Sequence, residues 1–185
     1  MGRDRDPFDR ALEALRQRVS QSILPQGAAL PVNALAAELG VSSTPVREAL
    51  ARLAGEGLVV RTSSGYATLT WDRGDLAALY GLAGLLAEAV LATLVLEPDQ
   101  PPPTLDEALR GGGSVTREEY ARVEAQLAPF GAAEREVLGQ DDRMALERAI
   151  AERQPARTLG AMARRYYRRR ARRAGDILRR ALGVG

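Results

Sequence analysis

The chain has no cysteine and no histidine, and all 26 of its basic side chains are arginine. Without Cys there is no disulfide and no thiolate nucleophile, which fits a reducing cytosol. Without His there is no imidazole for acid–base catalysis or for a nucleophile triad. The two absences also remove the usual ligands of Zn²⁺ and Ni²⁺, leaving carboxylate and backbone oxygens that suit only hard cations. No phosphate-cradling loop precedes a helix: Gly111-Gly112-Gly113-Ser114 reads as a linker rather than a GxxxxGK[ST] loop. The paired acids Glu118-Glu119 and Asp141-Asp142 read as helix N-terminal charge. No catalytic residue, metal site or cofactor is therefore expected, and the chain is not read as an enzyme. The charged N-terminus MGRDRDPFDR lacks the apolar core of a signal peptide. Arginine without lysine, amid abundant Ala and Gly, is the usage of a GC-rich bacterial genome.

A length of 185 residues accommodates one or two small domains. The formal charge of +2 conceals a strong partition. Residues 1–74 hold 9 Arg and 8 acids (+1), residues 75–154 hold 7 and 15 (−8), and residues 155–185 hold 10 and 1 (+9).

The stretch from Leu30 to Arg61 reads as two helices joined by a tight turn and followed by a hairpin. Leu35, Ala36 and Leu39 give the first helix an apolar face, and Gly40 ends it in a left-handed conformation that glycine adopts without strain. Val41 fills the turn, Ser42 or Ser43 is placed to cap the second helix, and Pro45 sits in its first turn. Val46, Ala49, Leu50 and Leu53 recur at helical spacing and face inward, leaving Ser43, Thr44, Arg47, Glu48 and Arg52 outside. A helix-turn-helix needs this arrangement, because the N-terminal end of its second helix enters the major groove. Leu58-Val59-Val60-Arg61 and Tyr66 to Thr70 read as strands around Thr62-Ser63-Ser64-Gly65, a wing. Upstream, Asp6-Pro7 starts a helix whose covering face is Phe8, Ala11, Leu12, Leu15, Val19 and Ile23, ended by the turn Leu24-Pro25-Gln26-Gly27.

With LAAELGV before it and RLAGEGLV after it, SSTPVREAL makes residues 8–71 resemble the DNA-binding domain of GntR-family bacterial transcription regulators, FadR-like branch. The shared residues run Leu35-Ala36, Gly40-Val41-Ser42, Thr44 to Leu50 and Glu56-Gly57-Leu58 in the family's order. Two positions depart: Ser43 stands where the family usually has Arg, and Asn33 where it often has another. The resemblance implies double-stranded DNA as partner and Asn33, Ser42, Ser43, Thr44, Arg47, Arg52, Arg61 and Gly65 as contact candidates. Arg47 is the best-placed retained reader; Arg61 is placed to reach a phosphate and Gly65 to bring backbone to the minor groove, against the alternative of an ordinary hairpin. At a net charge of only +1 the winged domain should bind DNA modestly and with salt sensitivity.

Trp71 to Gly74 is the expected boundary. Beyond it Asp75 is placed to cap a helix over Leu76–Leu96 whose only charge is Glu88. That segment meets the length test for a membrane span. A mid-segment carboxylate and acidic flanks argue instead for a helix buried on all sides of a bundle or shared across a dimer. Glu97 to Pro103 is a stiff connector, followed by helices over Thr104–Arg110, Thr116–Leu127 (with Thr116 and Glu119 as a capping box), Ala132–Leu138 and Asp141–Arg153, and a last one from Pro155 to Leu182. Ala163, Tyr167, Ala171, Ala174, Leu178 and Leu182 form the apolar stripe of that last helix. The nine Arg between Arg164 and Arg180 have three readings: a solvated face partnered by the −8 segment, a nucleic-acid contact, or a surface for an acidic ligand or membrane.

The resemblance assigns residues 75–185 to an all-helical domain for dimerisation and effector binding. LYGLAGLLAEAVL resembles its first helix, and LERAIAERQPARTLGAMARRY its closing pair. The family's pocket often holds a metal on one acid and several His; two of those positions match Glu147 and Arg165 here, so composition excludes that design. The effector-binding candidates are then Arg165 and Tyr166, with a small acidic or apolar organic molecule as ligand.

The expectation is therefore a mainly α protein: a winged helix-turn-helix over residues 1–71 and a small helical bundle over residues 75–185. Its expected role is that of a cytoplasmic, homodimeric, sequence-specific repressor with no membrane partner. The alternative is a degenerate relative that works as a protein-interaction or non-specific nucleic-acid-binding module through its Arg-rich C-terminal helix.

Overall fold

Asp6 accepts a hydrogen bond from the Phe8 amide at 3.0 Å, and Pro7 occupies the first position of helix α1, Pro7–Ser20. The computed structural model describes residues 6–21 and 25–183, which form two compact units, one through Trp71 and one from Asp72. In the first unit, α1 buries Ala11 and Leu15 against α3 (Ser43–Gly55). The helix stops at Ser20, short of the expected Ile23; Ile23 and Leu24 lie outside the described residues. Arg16 pairs with Glu56 at 2.7 Å, and Arg18 pairs with Glu38 at the end of α2 (Val32–Leu39).

Gly40 terminates α2 at φ 64°, and the Val41 amide donates back to the Ala36 carbonyl at 3.1 Å. The chain then enters α3 with Ser42 extended in the N-cap position. The expected hydroxyl cap is absent: neither serine closes the helix, so the first amides of α3 keep their hydrogen-bonding capacity. Val46, Ala49, Leu50 and Leu53 are fully buried, and Thr44, Arg47, Glu48 and Arg52 point away from them.

Strands β1 (Val59–Thr62) and β2 (Gly65–Thr68) pair antiparallel with Arg61 opposite Tyr66. The reversal is tighter than the four-residue turn read from sequence. Thr62 pairs with Gly65, whose φ of 139° suits glycine, and Ser63-Ser64 alone form the tip. The sequence also hid a third edge. The Leu30 amide donates to the Tyr66 carbonyl at 2.8 Å, and the Thr68 amide donates to the Ala28 carbonyl at 2.9 Å. Buried Thr68 fixes this edge through its hydroxyl, which donates to the Pro25 carbonyl at 2.6 Å and accepts from the Ala28 amide at 2.9 Å.

The second unit is helical among its described residues: α4 (Arg73–Ala92), α5 (Leu105–Arg110), α6 (Val115–Leu127), a 3-10 turn (Ala128–Phe130), α7 (Gly131–Leu138), α8 (Asp141–Ala151), α9 (Ala156–Arg172) and α10 (Ala174–Ala181). Its centre is the antiparallel pair α4–α9. Two glycines let the backbones approach. A Cβ on Gly84 would stand 2.9 Å from the Tyr167 Cβ, and one on Gly160 would stand 3.0 Å from the Glu88 carbonyl oxygen.

Several boundaries differ from expectation. Helix α4 begins at a capping box of Asp72 with Asp75 and ends at Ala92, not Leu96. It is long and apolar enough to cross a membrane, but Leu76, Tyr80, Ala83, Ala87 and Leu91 are buried in the bundle. Nor is it buried on all sides. Ala78, Gly81, Leu82, Leu85 and Ala89 form an open apolar face, with Leu82 45% and Leu85 54% exposed. Ser114, not Thr116, caps α6 by accepting from the Arg117 amide. Arg153, at φ 56°, lies just past the end of α8 and anchors the connector by donating to the carbonyls of Glu97 at 3.0 Å and Gln100 at 2.5 Å. The expected single closing helix breaks at Arg173, so Ile177 rather than Leu182 anchors the last turns; Leu182 is exposed.

Much of the arginine run is partnered by the acidic segment. Arg164 pairs with Glu88 at 3.1 Å, Arg169 with Asp142 at 2.6 Å, Arg170 with Glu134 at 2.8 Å, and Arg180 with Glu136. Arg173 and Arg179 share Asp176.

Candidate nucleic-acid interface

Three elements of the first unit converge on a groove of about 610 Å³. Helix α2 supplies Asn33, α3 supplies Arg47, and the wing supplies Thr62, Ser64, Gly65 and Tyr66. Asn33, Arg47 and Gly65, far apart in sequence, are thus brought to one place. Arg47 is exposed one turn into α3 and makes no hydrogen bond or ion pair to any described residue. Its guanidinium is available beside a helix N-terminus whose uncapped amides favour anions.

The other candidates do not line this groove. Ser42 and Thr44 are exposed at the head of α3, and Ser43 is half-buried. Arg61 is exposed on β1. Arg52 is held by Glu56 at 2.8 Å, and Glu56 also accepts Arg16. Burial pushes the Glu56 carboxyl up, but the two guanidinium hydrogen bonds outweigh it and hold the group below its usual range. A phosphate contact by Arg52 must therefore compete with an intact ion pair. Tyr66 and Ser64, on the groove wall, were missed as site residues. Tyr66 stands directly across the hairpin from Arg61, and that pairing is the signal that could have found it.

In the second unit, α6, the 3-10 turn, α7, the head of α8 and α9 line an open cavity of about 450 Å³. Glu124, Glu134, Arg135, Arg143, Tyr166 and Arg170 are among its walls. Arg165 is exposed and does not line it, so of the two effector candidates only Tyr166 does. The inward arginine is Arg170, 4% exposed, whose Nε donates to Glu134 at 2.8 Å and whose guanidinium lies 3.3 Å from the centre of the Tyr166 ring. The Tyr80 hydroxyl donates to the other Glu134 oxygen at 2.6 Å. The Tyr167 hydroxyl donates to Glu124 at 2.7 Å and meets the Tyr120 hydroxyl at 2.7 Å. Burial raises the Tyr166 phenol to about 12, against the pull of Arg170. Among the described residues no three acidic side chains group as a metal site.

Burial also pushes the Glu124 carboxyl above the ordinary carboxylate range, against the Tyr167 hydrogen bond. Between the ordinary and the raised value the folded chain holds a proton that the unfolded chain releases. Stability is therefore complete below the ordinary value and declines as pH rises through this window. Glu124→Gln keeps an oxygen acceptor for Tyr167 and does not ionise. Urea unfolding of both proteins from acid to neutral pH should show the variant gaining on wild type as pH rises. Parallel stability curves would remove Glu124 as the cause.

The first unit is a winged helix-turn-helix domain. Residues 7–65 match the family described as "Bacterial regulatory proteins, gntR family" and carry its helix-turn-helix domain. A stretch of 45 residues is 62% identical to an "Uncharacterized HTH-type transcriptional regulator in unstable DNA locus" of Streptomyces ambofaciens, covering 24% of this chain and 19% of that protein. The chain thus matches about a fifth of that relative's length. Over 93% of its own length and 99% of the other's, it also superposes with a TM-score of 0.51 and 16% identity on a structure published as "Lar controls the expression of the Listeria monocytogenes agr system and mediates virulence". At that identity the likeness is one of fold.

Proposed function

We propose that this chain is a GntR-type, FadR-like transcription regulator that binds operator DNA as a homodimer and represses. The observation that carries the reading is Arg47, unpaired and exposed on α3 at a groove shared with Asn33 and the wing. In a winged helix-turn-helix the second helix enters the major groove from its N-terminal end. An arginine there presents a two-pronged donor suited to guanine O6 and N7. Thr44 is exposed one turn before it for a backbone or base contact. The gntR-family match over residues 7–65 supports the class.

The open apolar face of α4 supports homodimerisation, since apolar surface of this kind is normally covered. The cavity between α6, α7 and α9 supports control by a small organic effector. Its two carboxylates and three arginines favour a polar ligand over an apolar one.

The deciding measurement is competition for the purified chain between its selected operator and random duplex at physiological salt. A specific regulator should prefer the operator by about 10³-fold or more. A ratio near one would leave only non-specific binding.

A further inference from the structure

Helix α9 carries two kinds of arginine. Arg164, Arg169 and Arg170 each have a carboxylate from the acidic segment. Arg157, Arg165, Arg168 and Arg172 are all exposed and make no hydrogen bond or ion pair to any described residue. At 3.6 residues per turn these four fall within an arc of about 80°, with Ala161 on the same line. They form a stripe about 22 Å long, at 1.5 Å per residue. It contains four cations, one alanine and no acid. Like charges three and four residues apart destabilise a helix. Nothing among the described residues relieves that repulsion, whereas an external polyanion would.

We infer that this stripe is a second grip on duplex DNA, one that holds the phosphate backbone and reads no bases. Several features favour nucleic acid over an acidic protein or a membrane. Protein interfaces draw their affinity from buried aromatic and apolar anchors, with rim charges adding little, and the stripe has no anchor beyond Ala161. Interfacial membrane helices insert large apolar residues among their cations, and here there are none. Phosphate binding needs no such anchor, because release of condensed counterions drives it. Arginine forks also suit phosphate oxygens. The winged unit is itself nearly neutral, with residues 1–74 at +1. The stripe therefore supplies sequence-independent affinity that the reading head lacks.

The test is the salt dependence of the full chain on random-sequence duplex, measured as log K against log salt. Arg165→Gln/Arg168→Gln/Arg172→Gln should flatten the slope by about 2.7 per chain, at about 0.9 per lost contact. Arg168→Gln alone should flatten it by about 0.9. All three side chains are exposed and their mutual repulsion is relieved, so thermal unfolding should come no earlier than in wild type. Arg164→Gln/Arg169→Gln removes charge from the same helix where it is already paired, and should leave the slope as it was. Arg47→Ala should lose operator preference while keeping the stripe's share of the slope, which separates this site from the reading head. A wild-type slope in the triple variant overturns the proposal. So does equal flattening by Arg164→Gln/Arg169→Gln, which would make the effect one of net charge. Loss of binding to phosphatidylserine vesicles with the DNA slope intact would assign the stripe to membranes and overturn it as well.

Discussion

Arg47→Ala should cut operator selectivity by roughly 30-fold to 10⁴-fold and leave folding and the proposed dimer unchanged. The side chain lies outside the buried line of Val46, Ala49, Leu50 and Leu53, and it makes no hydrogen bond or ion pair to any described residue. Its removal opens no cavity and strands no partner, so substitution belongs to the surface class, within about 0.5 kcal/mol in stability. Binding is a different matter. A bidentate arginine–guanine contact contributes about 1–3 kcal/mol of discrimination per half-site. A symmetric dimer makes the contact twice, so the expected loss is about 2–6 kcal/mol, or roughly 30-fold to 10⁴-fold in operator affinity. The effect should be this large because neighbouring contacts are few. Ser43 and Asn33 stand where the family usually carries arginine, and Arg52 is engaged by Glu56. Fluorescence anisotropy on operator and random duplex checks the prediction. An operator affinity equal to wild type would show that Arg47 does not read bases.

The reading head was legible because its signals are local. Gly40 at φ 64°, Asp6 as a cap, and the spacing of Val46, Ala49, Leu50 and Leu53 each follow from chain chemistry within a turn or two. The edge at Ala28–Leu30 was not legible. Two short alanines and a leucine carry no strand alternation, and the edge exists only because Tyr66 and Thr68 offer backbone partners from 36 or more residues away.

The second unit hid more, and for a common reason. In α4 apolar residues surround the axis, so periodicity cannot tell the buried face of Tyr80, Ala83 and Leu91 from the open face of Leu82 and Leu85. In α9 one residue type repeats, yet the stripe of Ala163, Tyr167 and Ala174 already places Arg170 on the buried side, three residues after Tyr167, and Arg165 opposite it. What sequence does not show is the partner of the buried charge, which is Glu134 on α7. The break at Arg173 is likewise tertiary. The chain turns where Gly175 comes against the Arg73 side chain, with space for a Cβ only 3.2 Å from its Cδ, and α10 then buries Ile177. Arg52 with Glu56, by contrast, is an i,i+4 pair that sequence alone offers, and it tempers the case for Arg52 as a DNA contact.

Leu82→Glu/Leu85→Glu should convert the proposed dimer to a monomer, at a comparable cost for operator binding. Both leucines are about half exposed in the single chain, at 45% and 54%, so glutamates there meet water and the bundle folds. Paired with a second copy, the same positions would put at least four carboxylates into one apolar interface. Desolvating charges without partners costs several kcal/mol each. A monomer then meets each half-site separately. In a dimer the second head binds intramolecularly, and that linkage multiplies affinity by about 10²–10⁴. The variant should therefore bind a full operator no better than an isolated half-site, while wild type prefers the full operator by that factor. Non-specific binding per chain, carried by phosphate contacts, should be retained. Sedimentation velocity gives the mass, and titration of full and half operators gives the linkage. A variant that stays dimeric with unchanged operator affinity would move the interface away from the α4 face. A wild-type protein that is monomeric at binding concentrations would remove the dimer from the proposal altogether.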